Sequence, residues 1–227
     1  MRFSRLLLIV TILAITCISC KEKGGKYIDQ GEIHYNIDYI GNVGTMPKEL
    51  MPQNLVVSFK KDKILFEMTG IANSGIINLA NPEKGIFDTY FSLFALKYFY
   101  SAQPDELFPG FEKMIGIKLR KTSKKSVICG YNCKNAEVIF PSARNKVYDI
   151  WYTNEIKIEN PNAATPFSEI DGVLMNFFFF VGPVELHFEA ETVYKKNIPD
   201  EAFERRAKFE RVSKEKITEL INKMISL

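Results

Sequence analysis

The chain is poor in the residues that usually perform catalysis or hold metals. It contains 1 tryptophan, 2 histidines and 4 cysteines among 227 residues. It has no G-x-S-x-G nucleophile elbow and no glycine-rich loop that would cradle a phosphate. His34 and His187 each lie in the polar phase of an alternating segment, which is typical of solvated strand residues rather than of metal ligands. The sequence therefore predicts no catalytic residue, no metal site and no cofactor.

A large excess of charge and a long apolar run are also missing. The 30 basic residues nearly balance the 27 acidic ones, which argues against a nucleic-acid-binding protein, because such proteins normally carry a basic surplus. No stretch reaches the about 20 apolar residues that a membrane-spanning helix needs. A hydrophobic fraction of 46% excludes wholesale disorder. The length fits one domain, since β-rich domains of this size often form a single unit.

The first segment that is present is a targeting sequence. Arg2 and Arg5 precede an apolar run at residues 6–18, which is the pattern of a secretory signal peptide. Hydrophobicity then ends abruptly, and the small residue Ser19 followed by Cys20 resembles a bacterial lipobox. In that motif the cysteine is diacylated and becomes the mature N-terminus. We therefore expect Cys20 to be lipidated; the alternative is a soluble secreted protein that is cleaved near Ser19.

Acyl chains on Cys20 would hold the protein on a membrane without a spanning helix, because two or more chains make a stable anchor. Lys21 stands in place of the aspartate that commonly retains a lipoprotein in the inner membrane of Gram-negative cells. The outer membrane is therefore the expected location, with its periplasmic and outer faces both open. We expect residues 1–19 to be the signal peptide, residues 20–30 the lipidated cysteine with a flexible tether, and residues 31–227 one domain.

Beyond the tether, most segments follow the period of two that is typical of strands. From Ile33 onward every second residue is apolar and the residues between are polar. Residues 91–100 could form a strand or a helix, and the proline-containing residues 160–169 are predicted to be a loop. The other strands are predicted at residues 54–60, 63–69, 74–79, 85–91, 117–121, 126–129, 134–140, 147–153, 173–181 and 184–194.

Two helices are expected among these strands. Residues 104–114 could form a short mid-chain helix, and Ser213 is a suitable N-cap for an amphipathic helix at residues 213–226. The apolar positions of this second helix recur at helical spacing and need a surface to cover them, most simply the open face of the sheet. They are Ile217, Leu220, Ile221, Met224 and Ile225.

Four motifs in the second half of the chain carry a family resemblance. They are I-C-G-Y-N-C-K-N-A at residues 128–136, W-Y-T-N-E-I at residues 151–156, F-S-E-I-D-G-V-L at residues 167–174 and I-P-D-E-A-F at residues 198–203. Together they resemble uncharacterised Gram-negative lipoproteins that form a domain of unknown function related to the GLPGLI proteins. The resemblance implies a mainly β (α+β) fold, an antiparallel and incompletely closed barrel like that of the LolA/LolB lipoprotein carriers, with helices over its concave face. It implies no reaction.

The cysteines Cys129 and Cys133 flank a short turn, Gly130-Tyr131-Asn132, between two predicted strands. A structural disulfide is one interpretation, because the periplasm is oxidising and the Cα atoms would need to approach within about 7 Å. Two unpaired thiols are the main alternative. A redox-active pair is the least favoured interpretation, since no helix N-terminus is predicted nearby to lower a thiol pKa.

The run Phe177-Phe178-Phe179-Phe180 is apolar on both faces of its predicted strand. Exposure would create an aggregation hazard, so the run is expected to be buried beneath the C-terminal helix. These four residues, with Trp151, could instead line a pocket for an acyl chain or another apolar ligand, or form a surface that contacts a protein.

Two functions follow from these features. The first is a non-enzymatic, lipid-anchored module that binds a hydrophobic ligand in an aromatic-lined concave sheet. The second is a structural or assembly lipoprotein that docks an envelope protein through surface loops such as residues 160–169.

Overall fold

The computed structural model describes residues 27–41, 51–71, 74–141, 146–182 and 184–226. Residues 1–19 and the lipidation site Cys20 lie outside these described residues. The strands are β1 (Gln30–Ile40), β2 (Asn54–Lys60), β3 (Lys63–Thr69), β4 (Gly75–Asn81), β5 (Ile86–Leu93), β6 (Leu96–Ser101), β7 (Lys118–Ile128), β8 (Tyr131–Ile139), β9 (Val147–Thr153), β10 (Val173–Val181), β11 (Val184–Tyr194) and β12 (Glu210–Arg211), and the helix is α1 (Lys214–Ser226). The fold is mainly β with a C-terminal helix, as the sequence predicts. Among the described residues, no helix is long and apolar enough to span a membrane.

The strands form one open sheet in the order β12-β6-β5-β4-β3-β2-β1-β11-β10-β9-β8-β7. It consists of two antiparallel meanders, β1 to β6 and β7 to β11, which β1 joins by pairing with β11. The short strand β12 pairs with β6 in parallel. The two edges, β12 and β7, do not pair with each other, so the sheet is not a closed barrel.

Alternating hydrophobicity explains why one face of these strands is buried. In β1, Ile33, Tyr35, Ile37 and Tyr39 are all less than 9% exposed, whereas the residues between them are partly or fully exposed. Strand β10 differs, because seven of its nine residues are buried. The sequence leaves residues 91–100 undecided between strand and helix. In the structure they belong to β5 and β6, which meet at a turn where Phe94 has a φ of 52°.

The connection between β6 and β7 determines what covers the sheet. These two strands are consecutive in the chain but ten strand spacings apart in the sheet, about 48 Å if the sheet were flat. Residues 102–117 would have to be almost fully extended to bridge that distance. They contain turns instead, so the sheet must curve, and the connection crosses its inner face.

The prediction of a mid-chain helix at residues 104–114 is wrong. Only Glu112–Met114 are helical, as a single 3-10 turn. Pro109 has no N–H to donate, and Gly110 has a φ of +101°, so neither residue can continue an α-helix.

Each face of the sheet has a hydrophobic core. The larger core lies on the inner face, beneath the β6–β7 connection, residues 160–170 and α1. A smaller core lies on the outer face of β3 to β6, where Ile198 and Phe203 cover Leu79 and Tyr90. Asp88 is fully buried beside this second core and pairs with Arg205, whose Nε donates to its Oδ2 at 2.8 Å.

Candidate functional site: a covered apolar groove

Three segments cover the inner face of the sheet, and we call them together the cover. They are the β6–β7 connection (residues 102–117), the loop of residues 160–170, and α1. The N–H of Phe108 donates to the carbonyl of Ala164 at 3.0 Å, which joins the first two segments. Lys214 of α1 lies 2.5 Å from Glu106, and the hydroxyl of Thr218 donates to Glu112 at 3.2 Å. The cover is therefore held together by a few polar contacts.

Three cavities lie between the cover and the sheet, one after another along β3. The lower cavity has a volume of about 210 Å³ and is lined by Ile64 and Phe66. The middle cavity, of about 50 Å³, is lined by Phe66 and Met68. The upper cavity, of about 130 Å³, is lined by Met68 and Leu93. Because Ile64, Phe66 and Met68 share one face of β3, the cavities form one line, at least about 13 Å long. We call this line the groove.

The walls of the groove are largely apolar. Phe108 and Thr165 border both the lower and the middle cavity, and Leu186 borders both the middle and the upper one. Phe111 and Phe179 line the middle cavity and pack against each other, with ring centroids 4.4 Å apart. The narrow middle cavity separates two wider ends. Such a shape suits an elongated apolar molecule better than a compact one.

The polar groups of the groove are few. At the lower end, Asp62 and Glu159 line the cavity. In the middle, the hydroxyl of Thr165 already uses its one donor, since it donates to the carbonyl of Asn162 at 2.9 Å, and it accepts from the N–H of Phe167 at 3.2 Å. Asn78 also lines the middle cavity and accepts a hydrogen bond from Thr89 at 2.8 Å.

An ionic contact ties the connection to the start of α1. Burial by itself would raise the pKa of Glu106, but Lys214, the N–H of Gln103 and the hydroxyl of Tyr100 together hold that pKa below its ordinary value. The carboxylate is thus charged at neutral pH and attracts the Lys214 ammonium. This contact holds the start of α1 against the β6–β7 connection.

The aromatic residues predicted to line a pocket are only partly in the groove. Phe179 lines the middle cavity, and Phe177 packs beside it against Tyr35 and Phe188. Phe178 instead stacks on Tyr148, with ring centroids 4.3 Å apart, and Phe180 contacts the same ring edge-on. Trp151, Phe177, Phe178 and Phe180 border none of the three cavities.

The two cysteines near the β7–β8 turn are free thiols in the structure. The three-residue turn predicted between them is wrong, because Ile128 pairs with Tyr131 and leaves a two-residue turn. Cys129 and Gly130 form that turn with φ angles of 52° and 81°, as a type I′ hairpin requires. Cys133 lies opposite Ser126, roughly 10 Å along the hairpin from Cys129. A disulfide would require the backbone to move.

The residues predicted to be a docking loop, 160–169, form turns that are half buried. Asn162, Thr165 and Phe167 are less than 5% exposed, and the side chain of Asn162 donates to the carbonyls of Ile170 and Gly172. The buried residues of this segment belong to the cover of the groove, while Asn160, Ala163, Ser168 and Glu169 are exposed.

The histidines lie away from the groove. His34 contacts Glu32 at 3.2 Å and His187 contacts Glu185 at 2.7 Å, and both side chains are more than one-third exposed. Within the part of the chain that the structure describes, no group of three or more His, Cys, Asp or Glu residues could hold a metal ion.

Sequence reasoning missed Phe66, Phe108, Phe111 and Asn78 as groove residues. Phe108 and Phe111 flank Pro109-Gly110, a turn signal that could have marked this segment as a loop carrying aromatics. Asn78 gave a weaker signal, as the one polar residue on the apolar phase Ile76, Asn78, Ala80 of its strand.

No protein-family model and no curated protein sequence matches this chain. Among solved structures, PNGF-II in its C2 and P21 space groups is similar, with TM-scores of 0.53 and 0.54 and 17% sequence identity. Each match covers 86% of this chain and 33% of the PNGF-II chain, so this chain spans about a third of the length of that protein. At this identity the similarity concerns the fold alone. These two neighbours are not GLPGLI or LolA/LolB proteins.

Proposed function

We propose that this protein is a lipid-anchored lipoprotein of the outer membrane that binds an elongated apolar molecule in the covered groove. Its role is that of a non-enzymatic carrier or binding module, comparable to the LolA/LolB carriers that the sequence motifs suggest. The observation that supports this proposal is the alignment of three apolar cavities along β3, bounded at each step by shared residues. Apolar pockets with a few polar groups are the usual form of small-molecule sites.

Ligand binding would require the cover to move away from the sheet. The middle cavity of about 50 Å³ is far smaller than the several hundred Å³ that typical ligand pockets occupy. The cover is the part that can move, because it meets the sheet mainly through side-chain packing such as that of Phe111 on Phe179, whereas the sheet beneath is fixed by continuous strand pairing. Ligand binding would therefore widen the middle of the groove.

The first described residues position the proposed anchor relative to the groove. Ile28 pairs with Ile156, and the N–H of Lys61 donates to the carbonyl of Asp29 at 2.7 Å. The described chain thus begins beside the β2–β3 turn, which borders the lower cavity through Asp62. Lipidated Cys20 precedes Tyr27 by seven residues, at most about 25 Å of chain. The anchor would hold the lower end of the groove near the membrane surface.

The alternative, an assembly lipoprotein that docks a partner through its loops, has less support. Its expected docking segment, residues 160–169, contributes buried residues such as Thr165 and Phe167 to the cover. We therefore favour ligand binding.

Filling the groove should abolish binding. Met68 lines the middle and upper cavities and is 8% exposed, so a larger ring at this position would occupy the passage between them. We expect Met68→Trp to weaken the binding of the apolar dye N-phenyl-1-naphthylamine at least tenfold, measured by dye fluorescence in the mature protein.

The matched control is Val127→Trp, because Val127 is 65% exposed on β7 and borders none of the three cavities. It should bind the dye like the wild type. Melting curves of both variants establish that each is folded. A wild-type protein that does not bind the dye, or equal affinities for both variants, would contradict the proposal.

A further inference from the structure

The floor of the middle cavity contains one polar position in an otherwise apolar setting. Asn78 of β4 lies between Phe66 of β3 and Thr89 of β5 in the strand register. Paired residues in neighbouring strands face the same side of a sheet, so this row lies across the inner face. Phe66 and Asn78 both line the middle cavity.

The side chain of Asn78 is only half satisfied. Its Oδ1 accepts a hydrogen bond from the hydroxyl of Thr89 at 2.8 Å, and Thr89 is completely buried. Its Nδ2 has two N–H groups, and no described residue accepts a hydrogen bond from them. The other polar side chain of this cavity, Thr165, uses its hydroxyl within the cover.

A purely apolar ligand would be penalised at this position. Filling the cavity with hydrocarbon would remove the Nδ2 group from water without giving it a partner, which is the unfavourable case for a buried donor. A ligand with an oxygen acceptor at the same depth would accept a hydrogen bond from Nδ2 in place of water. The groove should therefore discriminate between apolar molecules by one hydrogen bond.

The charge of the surroundings narrows the acceptor further. Lys214, a cation of the cover that lies near this row through Glu106 and Tyr100, is already paired with Glu106 at 2.5 Å. Asp62 and Glu159 line the lower cavity and carry the opposite sign. A carboxylate would thus enter the groove without a counter-ion, which is costly. A neutral carbonyl oxygen, as in an ester or a ketone, fits better.

We propose that Asn78 donates a hydrogen bond to a neutral carbonyl oxygen of the ligand, so that the groove selects esters or ketones with apolar chains over alkanes and free fatty acids. This inference rests on the proposed ligand-binding function and names the ligand class for the same site.

The test is competition for the bound dye by two molecules of equal length. Wild-type mature protein is loaded with N-phenyl-1-naphthylamine, which is then displaced by 7-tridecanone or by n-tridecane. We expect the ketone to compete about tenfold more strongly, since one net hydrogen bond of about 1.4 kcal/mol corresponds to a tenfold change in affinity. Tridecanoate should compete less well than the ketone.

In Asn78→Leu the ketone and the alkane should displace the dye about equally well, and the affinity for the alkane should stay the same or increase. Asn78→Val removes the same donor with a side chain that suits a strand, and serves if Asn78→Leu does not fold. The matched control is Asn36→Leu, because Asn36 is an exposed asparagine of β1 that borders none of the three cavities; this variant should keep the tenfold preference.

The outcomes separate the two proposals. Failure of the dye and both competitors to bind would overturn the groove as a binding site. Displacement of the dye by ketone and alkane with equal strength in the wild type would overturn the role of Asn78 alone. The same is true if Asn78→Leu and Asn78→Val retain the wild-type preference.

Discussion

At the scale of single residues, burial suppresses the chemistry of the two thiols. Burial raises the pKa of Cys133 to about 11. The pKa of Cys129 is also raised, first by burial and then by the charges of Glu189 and Glu191. The thiolate is the reactive form of cysteine, so neither residue is activated as a nucleophile. This environment agrees with a structural role for both side chains.

The Cys133 thiol should make stability depend on alkaline pH. The native thiol keeps its proton up to about pH 11, whereas the unfolded thiol loses it near its ordinary value of 9.0. The unfolded state therefore releases the proton first as pH rises, and the stabilisation present below pH 9 is lost between pH 9 and 11, by about 3 kcal/mol. Urea unfolding of the wild type and Cys133→Ala at pH 8 and pH 11 measures this loss as the change in their stability difference.

Ionisation of the tyrosines that do not interact with Cys133 affects both proteins alike and cancels in that difference. Tyr35 does interact with Cys133, but burial is the largest cause that raises its pKa, and burial acts in both proteins. Iodoacetamide should also modify the native Cys133 slowly at pH 8 and faster as the pH approaches 11. Rapid alkylation of both thiols at pH 7 would show instead that they are activated.

At the scale of elements, α1 is docked by a narrower stripe than the sequence predicts. Ile217 and Ile221 are completely buried, and Met224 and Ile225 are less than 8% exposed. Leu220, the fifth residue of the predicted stripe, is only partly buried at the edge of the core. Ser213 caps the helix as expected, because its Oγ accepts from the N–H of Lys216 at 3.3 Å.

Truncation along α1 should follow this burial pattern. Ile221→Ala removes a fully buried side chain and should lower the free energy of unfolding by about 2–5 kcal/mol. Leu220→Ala, one position away on the same helix, should cost clearly less and is the matched control. Chemical denaturation of both variants decides the point, and equal losses would mean that the helix does not lie as described.

At the scale of the whole molecule, the C-terminal part of α1 packs against the end of β10. A Cβ placed on Gly182, just after β10, would lie 3.7 Å from the Cα of Asn222 and would clash with its Oδ1. The two positions are therefore close enough for a disulfide once the Asn222 amide is removed, although a cysteine at position 182 must adopt the φ of +55° that Gly182 has. Such a bond would tie α1 to the sheet next to Val181, which lines the middle cavity.

The double variant Gly182→Cys/Asn222→Cys should make binding depend on redox state. With the bond formed, α1 cannot lift, so N-phenyl-1-naphthylamine should enter at least tenfold more slowly than into the reduced variant. Stopped-flow fluorescence with and without dithiothreitol measures both states of one protein, and the wild type controls for effects of the reductant. Equal rates in the oxidised and reduced states would mean that the dye enters without movement of α1.

The sequence by itself determined the features that depend on neighbouring residues. The alternation that begins at Ile33 predicts β1, Lys61 and Asp62 predict the turn between β2 and β3, and the spacing from Ile217 to Ile225 predicts α1. All are confirmed. These features can be predicted because side chains repeat every two residues in a strand and every 3.6 residues in a helix. The spacing of the apolar residues therefore indicates the element and its buried face.

Tertiary structure alone decided the features that depend on distant pairing. No local pattern indicates that Ile33 pairs with Val193, or that β6 and β7 lie far apart in the sheet. That placement makes residues 102–117 a cover instead of a helix, and it places Phe108 above Phe66 and Asn78. A local pattern predicts whether a side chain is buried, but it does not predict which residues from distant parts of the chain cover that side chain. The groove therefore exists only once the two meanders have joined through β1 and β11.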